Sequence, residues 1–351
     1  MMLDTVNEPV LKPVGEQVPP PLALMQMLFG KHLTYCLSAV ARLGVADHMT
    51  AGPVHVEQLA ADTDSHAPSL YRVMRCLASF DVFEEVPGKS FALKPMGDLL
   101  RTDSPNSLRY SAIQMGERWS TRAMEHFTDT VRTGEDGVTK AFGKNVFELF
   151  SESPEEAEVF NRSMTSFSSV LIDPIAASYD FSWIDRMADI GGGHGYLLAS
   201  ILKKNPLMRG VVYDLPEVIS GAKGKPHFAG CEDRVGFEAG SFFERVPAGC
   251  DAYIMKFILH DWSDDYCRKI LGLIREQLPP HGRVLVCEQV LDPAPVPSPG
   301  KLLDIEMLAM TVGGKERTAE EFSDLFASAG LRLARIVETG SPVCILEARL
   351  A

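Results

Sequence analysis

The sequence predicts an α/β protein, a doubly wound domain set behind a helical module, and three observations carry this. From about Trp183 onward, short β-rich apolar runs alternate with helical stretches: MADIGG, GVVYDLP, DRVGFEAGSFF, CDAYIMKFILHDW and HGRVLVCEQVL. The first run turns through Asp189-Ile190-Gly191-Gly192-Gly193-His194-Gly195 into a helical segment, as in a Rossmann-like βα unit. Before residue 105 the order is helix, turn, helix and a small hairpin around Pro87-Gly88, which describes a winged helix.

Taken along the chain, residues 1–20 are proline-rich and are expected to form a flexible arm. Residues 21–105 form the winged-helix-like module. Its first helix is expected from Pro21 to about Met49, where Leu24, Met27, Leu28, Leu33, Leu37, Val40 and Leu43 recur at helical spacing. Its later helix carries Leu70, Val73, Met74 and Leu77. That helix has Arg72 and Arg75 but no basic stripe, and Asp81, Glu84 and Glu85 follow it. A DNA-recognition helix sits in a positive field, so a dimerisation or lid role is the reading adopted. Residues 106–180 are expected to be a helical linker and substrate lid, with Ser153-Pro154-Glu155-Glu156 opening a helix through Phe160 and Met164. Residues 181–351 form the doubly wound domain, which closes with LARIVETGSPVCILEARL as an antiparallel edge hairpin.

Composition excludes several classes. The chain has 351 residues, enough for two domains and a sizeable core, and carries 47 acidic against 34 basic residues, a formal charge of −13. That balance argues against a nucleic-acid binder, whose affinity comes from neutralising phosphates. The seven cysteines are dispersed, with no C-x-x-C pair, and predict reduced thiols. No signal-peptide pattern opens the chain and no apolar run is long enough to span a bilayer, so a cytoplasmic protein without membrane association is expected.

The glycine turn matches neither G-x-G-x-x-G nor a phosphate-cradling P-loop. Asp189 ahead of the glycines would repel pyrophosphate, yet it suits an amino group. This favours S-adenosylmethionine over NAD or ATP. Asp214 ends the next strand about twenty residues on, the interval expected of an acid that binds ribose; the alternative is a cap for Leu215-Pro216. Ser241 and Phe242 close a third strand, where they suit the adenine amine and ring face, or else a turn packed on the core.

The catalytic signal is Lys256-Phe-Ile-Leu-His260-Asp261-Trp262. Histidine titrates near neutrality and can take the proton of a phenol as it attacks a sulfonium methyl. A carboxylate on its other ring nitrogen fixes the tautomer, and Glu288 and Glu316 are both candidates. The acids beside His260 are not read as a metal site, because Asp264 and Asp265 suit the first turn of a helix. No metal is expected.

The ordered set DIGGGHG, VVYDLPEVI, GSFF, MKFILHDW, CEQVL and GGKERTAEEF resembles the plant-type, caffeic-acid-type O-methyltransferases and their bacterial natural-product branch, over nearly the whole chain. The resemblance implies an S-adenosylmethionine-dependent enzyme acting on a small aromatic acceptor, as a homodimer built through the amino-terminal domain. It implies Gly191 and Gly193 at the methionyl moiety, Asp214 with Leu215 at the ribose, and Ser241 and Phe242 at the adenine. Lys256 would contact the cofactor, and His260 would be the base with Asp261, Glu288 and Glu316 beside it. Met164 and Met307 match acceptor-packing positions, with core packing as the alternative for each; Met115 and Phe167 are added from the helical region. Many relatives carry Asp where this chain has Ser241, so a changed adenine contact is expected. Methylation of nitrogen or carbon, non-methylating chemistry, and a winged-helix regulator sensing S-adenosylmethionine are the competing functions.

Overall fold

The computed structural model describes residues 19–351. The arm expected at 1–20 lies, but for its last two residues, outside the described residues. The chain forms two compact units, one of residues up to Arg118 together with Glu155–Phe167, the other of Trp119–Pro154 and Ser168–Ala351. The helical stretch expected at 106–180 is thus divided between them.

In the first unit, α1 (Pro20–Leu43) opens with proline at its first positions and stops at Gly44. Gly44 has φ 69°, a left-handed cap that glycine adopts without a Cβ penalty. Strand β1 (Val54–His55), α2 (Val56–Asp62), α3 (Ala67–Ala78) and the hairpin β2 (Phe83–Val86) and β3 (Ser90–Leu93) complete the winged helix, its sheet ordered β1-β3-β2. Leu70, Met74 and Leu77 bury one face of α3 against Leu59, Phe83 and Phe91, the face that their spacing predicts. Leu24, Met25, Met27, Leu28 and Phe29 of α1 remain exposed, an apolar patch that a monomer rarely leaves bare. The short helices α4 (Pro95–Asp98) and α5 (Arg109–Gln114) follow.

Helices α6 (Arg118–Glu125), α7 (Phe127–Thr133), α8 (Gly137–Phe142) and α9 (Val146–Glu152) lead to α10 (Pro154–Ser178), which starts at the expected Ser153-Pro154 signal. The second unit is then laid out as β4 (Arg186–Ile190), α11 (Tyr196–Lys204), β5 (Arg209–Asp214), α12 (Pro216–Ala222), β6 (Val235–Ala239), β7 (Ala252–Lys256), α13 (Asp264–Gln277) and β8 (Arg283–Leu291). It ends with α14 (Pro299–Met310), β9 (Arg317–Thr318), α15 (Ala319–Ser328), β10 (Leu331–Glu338) and β11 (Val343–Leu350). The sheet order is β10-β11-β8-β7-β4-β5-β6, with β9 paired to β8. Strands β4 to β8 are mutually parallel, and β11 and β10 add the antiparallel edge hairpin.

Along each buried strand successive residues serve opposite faces. Met187, Val212, Ile254 and Leu285 pack with α11 and the end of α10, while Ala188, Val211, Tyr253 and Val284 pack with α13 and α15. Strand order reverses between β4 and β7. Ligands of open parallel sheets bind at the carboxyl edge beside such a reversal, and the glycine turn and the His260 segment leave the sheet there.

Candidate active site

The turn after β4 is held by the neighbouring strand. Gly191 and Gly192 donate N–H to the carbonyl of Tyr213 at 2.8 and 3.3 Å, and Gly193 donates to Asp214 Oδ2 at 2.8 Å. Gly191 has φ 65°, and a Cβ on it would collide with Ile258 and lie 3.5 Å from Phe242. A side chain there is strained by the backbone conformation and would require the tip of Ile258 to move. Asp214 Oδ1 also accepts the N–H of Leu215 at 2.7 Å, but Leu215 is itself the N-cap of α12 and no side chain caps that helix. Two contacts leave a carboxylate further lone pairs for ribose hydroxyls. Burial raises the Asp214 pKa, against the two backbone donors.

Asp189 is 2 % exposed, and its Oδ2 has no hydrogen-bond partner. Burial pushes it up to about 7, against the pull of Lys256. A buried, unpaired carboxylate oxygen facing a glycine turn fits an ammonium group, which would supply both the missing donor and the missing charge. Lys256 donates to Ser168 Oγ at 2.8 Å, and burial lowers its pKa against the charge of Asp189. Ser241 Oγ accepts the N–H of Phe243 at 3.2 Å. Phe242 packs against the core through Phe243 and Trp262 while its edge faces the glycine turn. The turn packed on the core is what these contacts describe.

His260 sits in a single 3-10 turn, Leu259–Asp261, and is 7 % exposed. Its Nδ1 is 2.7 Å from Glu316 Oε1, and its Nε2 lies 3.5 Å from Asp261 Oδ1. Burial pulls its pKa down, but Asp261, the Glu316 hydrogen bond and the charge of Glu288 outweigh burial and raise it to about 9. Of the two candidate partners for the ring, Glu316 holds it. Glu288 requires correction: its Oε1 accepts the backbone N–H groups of Ile258, Leu259 and His260 at 3.3, 2.7 and 3.2 Å. It lies within β8 and binds the main chain of the turn, not the imidazole. Burial raises Glu288 to about 7 and also raises Asp261.

A cavity of about 310 Å³ opens beside Asp261, lined by Phe147, Phe243, Trp262, Tyr266, Thr311 and Val312 among others. Phe147 stacks on Trp262 at 5.4 Å, and Phe243 meets Trp262 edge-on at 4.7 Å. Asn145 positions Phe147 by capping α9, accepting from the N–H groups of Phe147 and Glu148. Met307, on α14, is buried one turn before Thr311 and takes the Thr311 Oγ1 hydrogen bond on its carbonyl. Met115, at the end of α5, and Met164 are half-buried, and Phe167 on α10 is exposed; all three belong to the first unit.

Sequence reasoning missed four contributors. Phe257 has φ 54°, a left-handed conformation costly for an aromatic residue, and stacks on the His260 ring at 5.1 Å. Asp304 accepts the N–H of Glu316 at 2.9 Å. Phe147 lies more than a hundred positions from Trp262 and carries no local signal. Arg317 is fully buried beside Glu316 although charged, and it stands inside the GGKERT run.

The fold and site define a Rossmann-like domain that carries a glycine turn, strand-end acids and an acid-held histidine along the carboxyl edge of its parallel sheet. Among the described residues no group of three or more His, Cys, Asp or Glu could hold a metal ion, and no helix is long and apolar enough to cross a membrane. The chain belongs to the O-methyltransferase family: residues 124–332 match the O-methyltransferase domain, and residues 25–103 match the O-methyltransferase dimerisation domain. It is similar to a phenazine O-methyltransferase of Lysobacter antibioticus, 40% identical over 95% of this chain and 97% of that protein. It is also 34% identical to an 8-amino-8-demethylriboflavin N,N-dimethyltransferase of Streptomyces davaonensis, over 90% and 92% of the two chains. The crystal structure of LaPhzM superposes with TM-score 0.90 at 40% identity, covering 95% of this chain and all of that one. An O-methyltransferase from neocarzinostatin biosynthesis, solved with S-adenosylmethionine and a naphthoic acid, superposes with TM-score 0.77 at 30% identity, over 91% and 96%. The enzyme is an O-methyltransferase whose cofactor is S-adenosylmethionine.

Proposed function

We propose that this enzyme methylates a phenolic hydroxyl of a small aromatic acceptor, a natural-product intermediate, with His260 as general base. The observation that carries the reading is the 2.7 Å contact between His260 Nδ1 and Glu316, which leaves Nε2, 3.5 Å from Asp261 Oδ1, as the nitrogen that takes the proton. S-adenosylmethionine supplies a methyl group on a positively charged sulfur, an electrophile that a neutral phenol attacks poorly. His260 Nε2 takes the hydroxyl proton as the oxygen becomes nucleophilic, and Glu316 and Asp261 stabilise the imidazolium that results. A base near 9 is well matched to a phenol, which ionises near 10.

Asp189 would hold the cofactor ammonium through its orphaned oxygen, Asp214 with Leu215 the ribose, and Ser241 and Phe242 the adenine. Gly191 and Gly193 would line the methionyl chain beside Lys256. The aromatic walls at Phe147, Phe243 and Trp262 suit a planar acceptor, and Asp261 on the rim suits its hydroxyl. Met307 would extend the acceptor wall within the second unit. The exposed patch on α1 supports a homodimer.

A panel of phenolic acceptors with methyl-labelled cofactor tests the reading. Wild-type enzyme should label a phenol, and His260→Ala should lose turnover while still binding S-adenosylhomocysteine by calorimetry. Near-normal turnover in that variant would sink the base assignment. The riboflavin-type relative favours a second reading, methylation of an aromatic amine in the same cavity. Product mass spectrometry on matched phenol and aniline acceptors separates the two.

A further inference from the structure

We propose that Arg317 is the positioning residue that sets the His260–Glu316 geometry, by locking the strand that follows Glu316 to the turn that carries His260. Its guanidinium is fully buried, where a charge persists only if paired and hydrogen-bonded. All five of its N–H donors have a role. Nη1 donates to the carbonyls of Leu259 and Lys315 at 3.0 and 3.2 Å, and Nη2 to the carbonyl of Trp262 at 3.0 Å. Nε and Nη2 both reach Asp264 Oδ1, at 3.0 and 2.8 Å.

The two carbonyls from the turn bracket His260 and Asp261, one on each side. The third comes from the residue before Glu316. One planar fork therefore spans both halves of the pair. Glu288 grips the same turn by its N–H groups, from two positions before Val290, the residue that pairs with Arg317 across β8 and β9. The turn is thus held through its donors by a carboxylate and through its carbonyls by a guanidinium. Asp264 balances the buried guanidinium charge, and Lys315 in turn binds the other Asp264 oxygen at 2.9 Å.

This inference rests on His260 being the base, and the test separates the two. In Arg317→Lys the charge stays, but an ammonium cannot reach these acceptors as a fork. Its kcat should fall by about 10- to 100-fold, the worth of one charge-assisted hydrogen bond, with the KM for the cofactor unchanged. In ¹⁵N-histidine NMR the His260 Nδ1 proton should lose its hydrogen-bonded signal. The ring should also titrate lower than in the wild type, because only Glu316 is displaced while Asp261 and Glu288 still face it. Asp264→Ala, at a half-exposed side chain, frees two of the five donors and should move both readouts the same way by less. A lowered melting temperature with wild-type kcat per folded molecule and an unmoved His260 titration, in either variant, overturns the proposal. Retained turnover in His260→Ala would remove the base reading, yet the NMR signal would still decide whether Arg317 sets the pair.

Discussion

Replacing Glu316 by glutamine removes the charge that faces His260 Nδ1 while leaving an oxygen able to accept its N–H, so the tautomer survives and the electrostatic support does not. The contact is 2.7 Å long and both side chains are buried, the setting in which a charge-assisted hydrogen bond is worth about 1.5–3 kcal/mol. At about 1.36 kcal/mol per pH unit, that lowers the His260 midpoint from about 9 by roughly one to two units. The sign follows from the raised pKa: the wild-type imidazole is protonated at neutral pH, so kcat/KM should climb about tenfold per pH unit until about 9. In Glu316→Gln the climb should level off at lower pH. Above pH 9 both enzymes hold a neutral base, and the variant should be about 10- to 100-fold slower because its imidazolium is less stabilised in the transition state. At pH 6 more of the variant's histidine is neutral, and the gap should narrow or close. The assay is release of S-adenosylhomocysteine across this pH range, with calorimetry to verify cofactor binding. A wild-type pH limb in the variant, or a gap of constant size at every pH, would refute the assignment of Glu316 as the charge behind the base.

Other substitutions probe the cofactor edge and the surface. Asp214→Ala removes the acceptor of two backbone N–H groups as well as the proposed ribose contact, and should weaken S-adenosylhomocysteine binding by about 10- to 100-fold in calorimetry with the fold retained by circular dichroism. Gly191→Ala forces a Cβ into φ 65° against Ile258, and should cost at least about 1–2 kcal/mol in denaturant unfolding and weaken the cofactor further. Met27→Asp combined with Leu28→Asp places charge on the exposed α1 patch, and sedimentation should shift from dimer towards monomer; an unchanged distribution would assign the dimer to another surface.

Local signals made much of this protein readable. The central β-runs, such as MADIGG and RVLVCEQ, became the strands of the large sheet because buried strands read as short apolar runs bounded by turn residues. Met74 and its neighbours at helical spacing gave away the buried face of α3. The turn at Gly191, the acid Asp214 and the candidate base His260 could be named because each is a residue type whose chemistry is legible from one strand end. What could not be read was which distant groups meet. Glu288 and Glu316 were equivalent as letters; the parallel register of β8 put one under the main chain of the His260 turn, and the β9 strand brought the other to its ring. Phe147, Asp304 and Arg317 escaped for the same reason, since their roles are contacts across the chain. Sequence alone determined the elements and the cofactor and named a candidate base, because periodicity and residue chemistry are local properties. The tertiary structure decided how that base is held, because hydrogen bonds between segments depend on register and packing that no single segment encodes.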